Sequence, residues 1–340
     1  MMHDFSRGDQ PRTTLPAEDM SISDLAFGMS RMGFQAGQLG QSLEVWDRML
    51  RDEVTIFLGL AGAMVPAGLQ EMISYLISHR LVDCVVSTGA NLFHDLCEGL
   101  GVMHYRGDCQ ADDARLKECR IDRIYDVFVS EEELHKADLF ISDLVKRLPT
   151  DRTYSSRELM EMIGRDVPDS TILGAAQRAD VPVFVPALSD SSIGIGMVIA
   201  RREGHPVLVD QIQDVDEITQ ITEKSEKTGV VFIGGGVPKN FIQQTKVIAE
   251  LMGNYRGGHN YAIQYTTDNP HFGGLSGCTF SEAVSWGKVD RHARMVQVFS
   301  DATITVPLVV QALRERRLKR PSVPCFRWTE SELELKYQRL

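Results

Sequence analysis

No C-x-x-C pair occurs among the six cysteines, Cys84, Cys97, Cys109, Cys119, Cys278 and Cys325. Their spacing builds neither a disulfide framework nor a zinc site, which points to a reducing compartment. No histidine pair has the spacing of a metal motif, so no metal is expected. No apolar run approaches the roughly 20 residues that span a bilayer. The opening MMHDFSRGDQPRTTLPAED has no apolar signal core. These absences together predict a soluble, cytoplasmic protein. An excess of basic charge is missing too: 47 acidic against 36 basic residues leave a net charge of −11. That balance argues against a nucleic-acid partner. It is compatible with a cationic small substrate, and equally with solubility alone. Neither GxGxxG nor GxxxxGK[ST] is present.

What is present reads as a folded α/β chain. Of its 340 residues, 43% are hydrophobic and 24% charged, ordinary values for a globular protein. Short apolar runs rich in β-branched residues read as buried parallel strands: 54–60, 82–88, 181–188, 206–212, 230–235, 261–267 and 294–300. Helical spacing occupies 69–80, 91–101 and 239–253 between them. Alternation of this kind predicts a doubly wound, mostly parallel sheet, with any dinucleotide held by a Rossmann-like variant. Residues 1–20 are expected to be a mobile arm and 21–340 one domain. The charged stretch 102–155 reads as an irregular excursion without a clear strand. ESELELKYQRL (330–340) reads as a helix.

Ligands of open parallel sheets bind beyond the carboxyl ends of the strands. The segments there are AGAMVPAG, TGANLFHD, SDSSIGIG, GGVPKN, DNPHFGGLSG and DATITVP. Small residues let backbone N–H groups approach a phosphate, and helix N-termini favour anions. Turns use the same residues, so one such loop carries little. Six on one edge point to a nucleotide or dinucleotide site.

SEAVSWGKV (281–289) places Lys288 among Val284, Trp286, Gly287 and Val289. On one reading its stem covers apolar surface while the ammonium reaches water. On the other, burial lowers its pKa so that a neutral amine forms a Schiff base. In a helix, Glu282 and Trp286 share a face, a carboxylate beside an aromatic wall suited to an organic cation. His94 and Asp95 open a helix after a strand, and His271 lies in the glycine-rich loop before the lysine. For each, a site role competes with capping or packing. His3, His79, His135, His205, His259 and His292 read as surface residues, and His104 as packing.

STGANLFHD, GGGVPKN, GGLSG and above all EAVSWGKV resemble the deoxyhypusine synthase family. The resemblance runs from GFQAGQLG (33–40) to DATITVPL (301–308). It implies an NAD-binding α/β fold and a homotetramer with active sites at subunit interfaces. In the implied reaction, spermidine gives a hydride to NAD and loses diaminopropane. A four-carbon fragment is held as an imine on the lysine that matches Lys288. An acceptor amine takes the fragment, and the hydride returns. By motif, the resemblance places NAD against Gly62, Ala63, Met64, Val65, Pro66, Thr88, Gly89, Ala90, Asp190, Gly235, Thr267, Asp301 and Ala302. It places the amine against Trp286, Glu282 and Ser276. His94 falls near an acidic substrate-binding residue of the eukaryotic enzymes, and Asp95 could supply that missing charge.

The departures concern recognition. Where the eukaryotic pattern has a basic histidine after GGGxxK, this chain has Asn240, which cannot act as a general base and is counted with the substrate contacts. Ile195 and Leu275 stand where eukaryotic loops carry carboxylates, removing charged contacts worth roughly 1.5–3 kcal/mol each. The expectation is retained chemistry with a small amine acceptor, giving homospermidine-type products or a polyamine from agmatine. Two alternatives remain: a true deoxyhypusine synthase acting on a translation-factor lysine, and a non-catalytic NAD-binding protein.

Overall fold

The computed structural model describes residues 11, 19–318, 320–329 and 332–339. Most of the arm expected over 1–20 therefore lies outside the described residues. Six strands form the central sheet: β1 (Thr55–Leu60), β2 (Cys84–Ser87), β3 (Val183–Phe184), β4 (Thr228–Ile233), β5 (His259–Thr266) and β6 (Val289–Phe299). Their spatial order is β3-β2-β1-β4-β5-β6, and every pairing is parallel. This is the dinucleotide-fold order, which reverses direction between β1 and β4 and opens a crevice there.

Side chains alternate across such a sheet, so each strand feeds two cores. Ile56, Leu58, Val85, Val231, Ile263 and Val298 face one cluster. That cluster is covered by the helices Phe34–Arg51, Gln70–Ser78, Gly89–Gly99 and Ala302–Arg316. Phe57, Cys84, Val86, Val230, Phe232 and Ala262 face the other. There Ile218, Ile221 and Ile242 pack from the helices Gln211–Lys224 and Gly236–Leu251. Burial on both faces is why the strands read as continuous apolar runs. Among the described residues, no helix is long and apolar enough to cross a membrane.

Three expectations are corrected. The run 206–212 contributes only Leu208–Val209, which pairs with Thr153–Tyr154 outside the main sheet. The charged excursion contains an antiparallel sheet of Tyr105–Arg106, Ile121–Ile124 and Val127–Ser130, followed by the helix Glu131–Lys146. Its strands are two to four residues long and mostly half-exposed or exposed, too short to show a period. The C-terminus is a strand, Leu333–Arg339, antiparallel to Ser322–Trp328. Leu333, Leu335 and Tyr337 turn inward at period two while Glu334, Lys336 and Gln338 are exposed. The Tyr337 hydroxyl pairs with Thr55 Oγ1 at 2.8 Å.

Candidate active site

The loops that the sequence singles out all leave the carboxyl edge of the sheet. Buried Asn91 joins the first two. Its Oδ1 accepts from the N–H groups of Met64 (3.0 Å) and Val65 (3.3 Å). Its Nδ2 donates to the Gly62 carbonyl (2.6 Å) and to Thr88 Oγ1 (3.1 Å). One amide thus fixes Gly62–Pro66 against Thr88, and the sequence reading did not single it out. Gly89 brings in the next loop: a Cβ there would lie 2.4 Å from Ser191 Oγ, beside Asp190.

Three helices at this edge of the sheet start without a cap from their own first residue, at Thr88, Ser191 and Gly235. The Ser191 hydroxyl donates instead to the Leu188 carbonyl at 2.7 Å. Elsewhere, Ser130, Ser155, Thr171 and Asp210 cap their helices. Free N–H groups at a helix start donate to an anion. Gly62 and Gly234, with φ of 85° and 76°, hold turns that side chains would strain. The crevice between β1 and β4 therefore fits a dinucleotide phosphate. Asp301 caps its own helix, accepting from Thr303 N–H at 2.7 Å, with buried Ala302 behind it. Thr267 is exposed just past β5.

Lys288 follows the short helix Phe280–Ser285 and immediately precedes β6. Its N–H donates to the Ala283 carbonyl (3.1 Å), and its carbonyl accepts from His259 N–H (3.0 Å). Tyr255 donates from its hydroxyl to the Gly287 carbonyl at 2.9 Å. Gly287 has a φ of 68°, so this turn requires glycine. The half-buried side chain donates from Nζ to Asn240 Oδ1 at 3.1 Å. Nζ also lies 5.4 Å from the centre of the Trp286 ring, which is 62% exposed. Burial lowers the amine's pKa, opposed by the nearby Cys278 and Glu282. Glu282 itself is exposed, its N–H donating to Thr279 Oγ1.

A second lysine, absent from the sequence reading, ties this pocket to the crevice. Lys239 is fully buried. Its Nζ donates to Gln264 Oε1 (2.9 Å) and to the carbonyls of Cys278 (2.6 Å) and Ser276 (3.4 Å). Burial brings its pKa down to about 8. Ser276 Oγ accepts from Gly236 N–H at 2.9 Å. A Cβ on Gly235 would stand 2.6 Å from Ser276 Cα. Gly236 and Asn240 are one helical turn, about 5.4 Å, apart. The Lys288 amine is thus held one turn from a helix start whose first N–H is taken by Ser276.

Asp95 is fully buried and consumed in packing. It accepts from the N–H groups of Ile172 (2.7 Å) and Leu173 (2.9 Å) and from Gln70 Nε2 (2.7 Å). It therefore caps the helix Ile172–Arg178, and the expectation of a substrate charge there is corrected. His271 is exposed, its N–H donating to Asn269 Oδ1. His259 is buried, not a surface residue, and pairs with Thr228 Oγ1 at 2.9 Å. His94 is half-buried, and its Nδ1 lies 2.9 Å from His104 Nε2.

A family model for deoxyhypusine synthase matches residues 24–313. The probable deoxyhypusine synthase 2 of Methanosarcina acetivorans is 53% identical over 339 residues, covering 97% of this chain and 98% of that one. The same organism's probable deoxyhypusine synthase 1 is 41% identical over 304 residues, covering 89% of this chain and 93% of that one. A crystal structure from Entamoeba histolytica, assigned to deoxyhypusine synthase, superposes with a TM-score of 0.60 at 18% identity. It covers 87% of this chain and 93% of that one, a likeness of fold.

Proposed function

The chain belongs to the deoxyhypusine synthase family, and from that premise we propose that it is an NAD-dependent aminoalkyl transferase working through an imine on Lys288. The observation that carries this reading is the Lys288–Asn240 contact. A carboxylate in that place would hold the lysine as ammonium. The neutral amide orients Nζ without adding to its basicity, and burial lowers that basicity further. A deprotonated lysine is what an imine requires.

Gly62–Pro66, Thr88–Ala90, Asp190, Gly235, Thr267, Asp301 and Ala302 would hold NAD, whose chemistry is reversible hydride acceptance. The chain's own residues do the rest. Asn240 aims the amine, Trp286 offers a π-face to an alkylammonium group, and Glu282 offers it a carboxylate. Lys239 and Ser276 fix the loop between these residues and the crevice. Ile195 and Leu275 are exposed where eukaryotic members carry carboxylates. Their apolar character supports a small amine acceptor and a homospermidine-type or agmatine-derived product. A homotetramer in the cytoplasm completes the reading, and the exposed Phe272 and Ile304 are suited to subunit contacts.

The relatives' names favour a second reading, transfer of an aminobutyl group from spermidine to a protein lysine. Against it, one organism carries two such proteins, and this chain is nearer the second. Product analysis separates the two. Purified protein is incubated with NAD and, in turn, spermidine, putrescine or agmatine. A free polyamine longer than the donor supports the small-amine acceptor. Consumption of spermidine only when an acceptor protein is added, with the mass gain on that protein, supports the second reading.

A further inference from the structure

On the helix Gly89–Gly99, exposed Ala90 is followed at four-residue steps by His94 and Glu98, which therefore share its face. His104 returns over that face with its side chain only 4% exposed. Its Nδ1 is 2.6 Å from Glu98 Oε1, and its Nε2 is 2.9 Å from His94 Nδ1. The two rings meet edge-on with centroids 4.9 Å apart. Among the described residues, no protein group hydrogen-bonds His94 Nε2. A line of three titratable groups thus runs along the helix toward the Thr88–Ala90 loop.

We infer that Glu98, His104 and His94 form a proton relay for the amine that reacts in this crevice, supplying the proton transfer that Asn240 cannot. The inference rests on the transferase reading above. Hydride leaves the carbon beside an amine nitrogen only after that nitrogen has lost its extra proton. With Glu98 ionised, His104 donates from Nδ1 to the carboxylate, and its Nε2 is left as an acceptor. His94 then donates from Nδ1, so its Nε2 carries a lone pair. In the forward step a substrate N–H bond breaks, its electron pair stays on nitrogen, and the proton bonds to His94 Nε2. The Nδ1 proton of His94 passes to His104 Nε2. One positive charge has then moved from substrate to His104, beside Glu98, and the reverse transfer returns the proton to a product amine. Alone, His94 is a poor base, because burial and then the charge of His104 push its pKa down to about 4. Passing the charge on to His104 removes it from that ring. His104 and Glu98 act through His94 and are positioning residues.

The test compares kcat and KM of His94→Ala, His104→Ala and Glu98→Gln, with and without added imidazole. The relay predicts a kcat about 100-fold lower in His94→Ala, KM little changed, and partial rescue by imidazole. A smaller kcat loss is expected for the other two variants. Lys288→Ala remains inactive with or without imidazole. Nitrogen NMR of the wild-type histidine rings is expected to show His94 protonated at Nδ1, with that preference lost in His104→Ala. Wild-type turnover with His94→Ala unaffected, or with the loss confined to KM, overturns the relay and leaves the transferase reading standing. An Nε2-protonated His94 in the wild type also overturns it. No turnover of any amine by the wild type sinks the transferase reading and the relay's role with it.

Discussion

Lys288 and Asn240 are 48 residues apart, yet the lysine Nζ donates to the asparagine Oδ1 at 3.1 Å. The helix Gly236–Leu251 presents Asn240 one turn below its start, and the turn at Gly287 aims the lysine at it. The contact joins the nucleophile to the element that opens the crevice. Asn240→Asp is therefore expected to change chemistry more than stability. A carboxylate there favours the ammonium, so the pH at which Lys288 becomes reactive moves upward. Each unit of upward shift lowers the neutral fraction at pH 7 about tenfold. The pH dependence of imine formation measures this, and a shift to lower pH contradicts the assignment.

Lys239 tests the frame behind the nucleophile. Lys239→Met keeps the apolar stem but removes the charged donor from Gln264 Oε1 and the Cys278 carbonyl, leaving each to Gln297 Nε2 alone, at 2.8 and 3.2 Å. Hydrogen bonds to a charged group contribute about 1.5–3 kcal/mol each. Denaturant unfolding is expected to show a loss of at least about 2 kcal/mol, with a rate loss as the 276–278 loop shifts. A variant as stable as the wild type contradicts the buried hydrogen bonds described here.

Asp95 gives a pH signature. Burial raises its pKa from 3.8 to about 6, only partly opposed by the Ile172 and Leu173 N–H groups. The folded state thus binds more protons than the unfolded state between these values, so this group's contribution to stability falls as pH rises from about 4 to 6. Asp95→Asn removes that slope and also turns an amide N–H₂ toward a backbone donor. Its destabilisation relative to wild type is expected to be larger near pH 4 than near pH 7. Parallel unfolding curves at both pH values check this, and the opposite trend contradicts it.

Gly235→Ala tests the join between the crevice and the lysine pocket. The backbone there is extended, with φ of −178°, so the cost is steric rather than conformational. The new Cβ would press on Ser276 and pull its hydroxyl from Gly236 N–H. A loss of about 1–3 kcal/mol is expected, with weakened NAD binding in a titration. Unchanged affinity would separate this loop from the cofactor.

Much of this architecture was legible. Runs such as VTIFLGL and VVFIGG are strands buried on both faces, and their carboxyl ends fall along one edge because every pairing is parallel. Lys288 was legible through its neighbours Trp286 and Gly287. Lys239 was not, because a lysine at the start of a helix looks solvated until the chain's return through Cys278 covers it. Asp95 sits beside His94 in sequence, but the helical turn sends one into the core and leaves the other half-exposed. The Glu98–His104–His94 line needs the chain to double back after the helix, and no spacing rule reports that. The C-terminal strand was missed because its alternation is confined to seven residues rich in Glu, Lys and Arg.

The central claim is that Lys288 carries the transferred fragment. The direct measurement is borohydride trapping with NAD and each candidate amine, followed by peptide mass spectrometry of wild type and Lys288→Ala. The account predicts a reduced adduct on the peptide containing Lys288, a four-carbon amine from spermidine or putrescine or a guanidinobutyl group from agmatine, and none in the variant. Turnover of an amine with no adduct, or with an equal adduct on another lysine in Lys288→Ala, would contradict it.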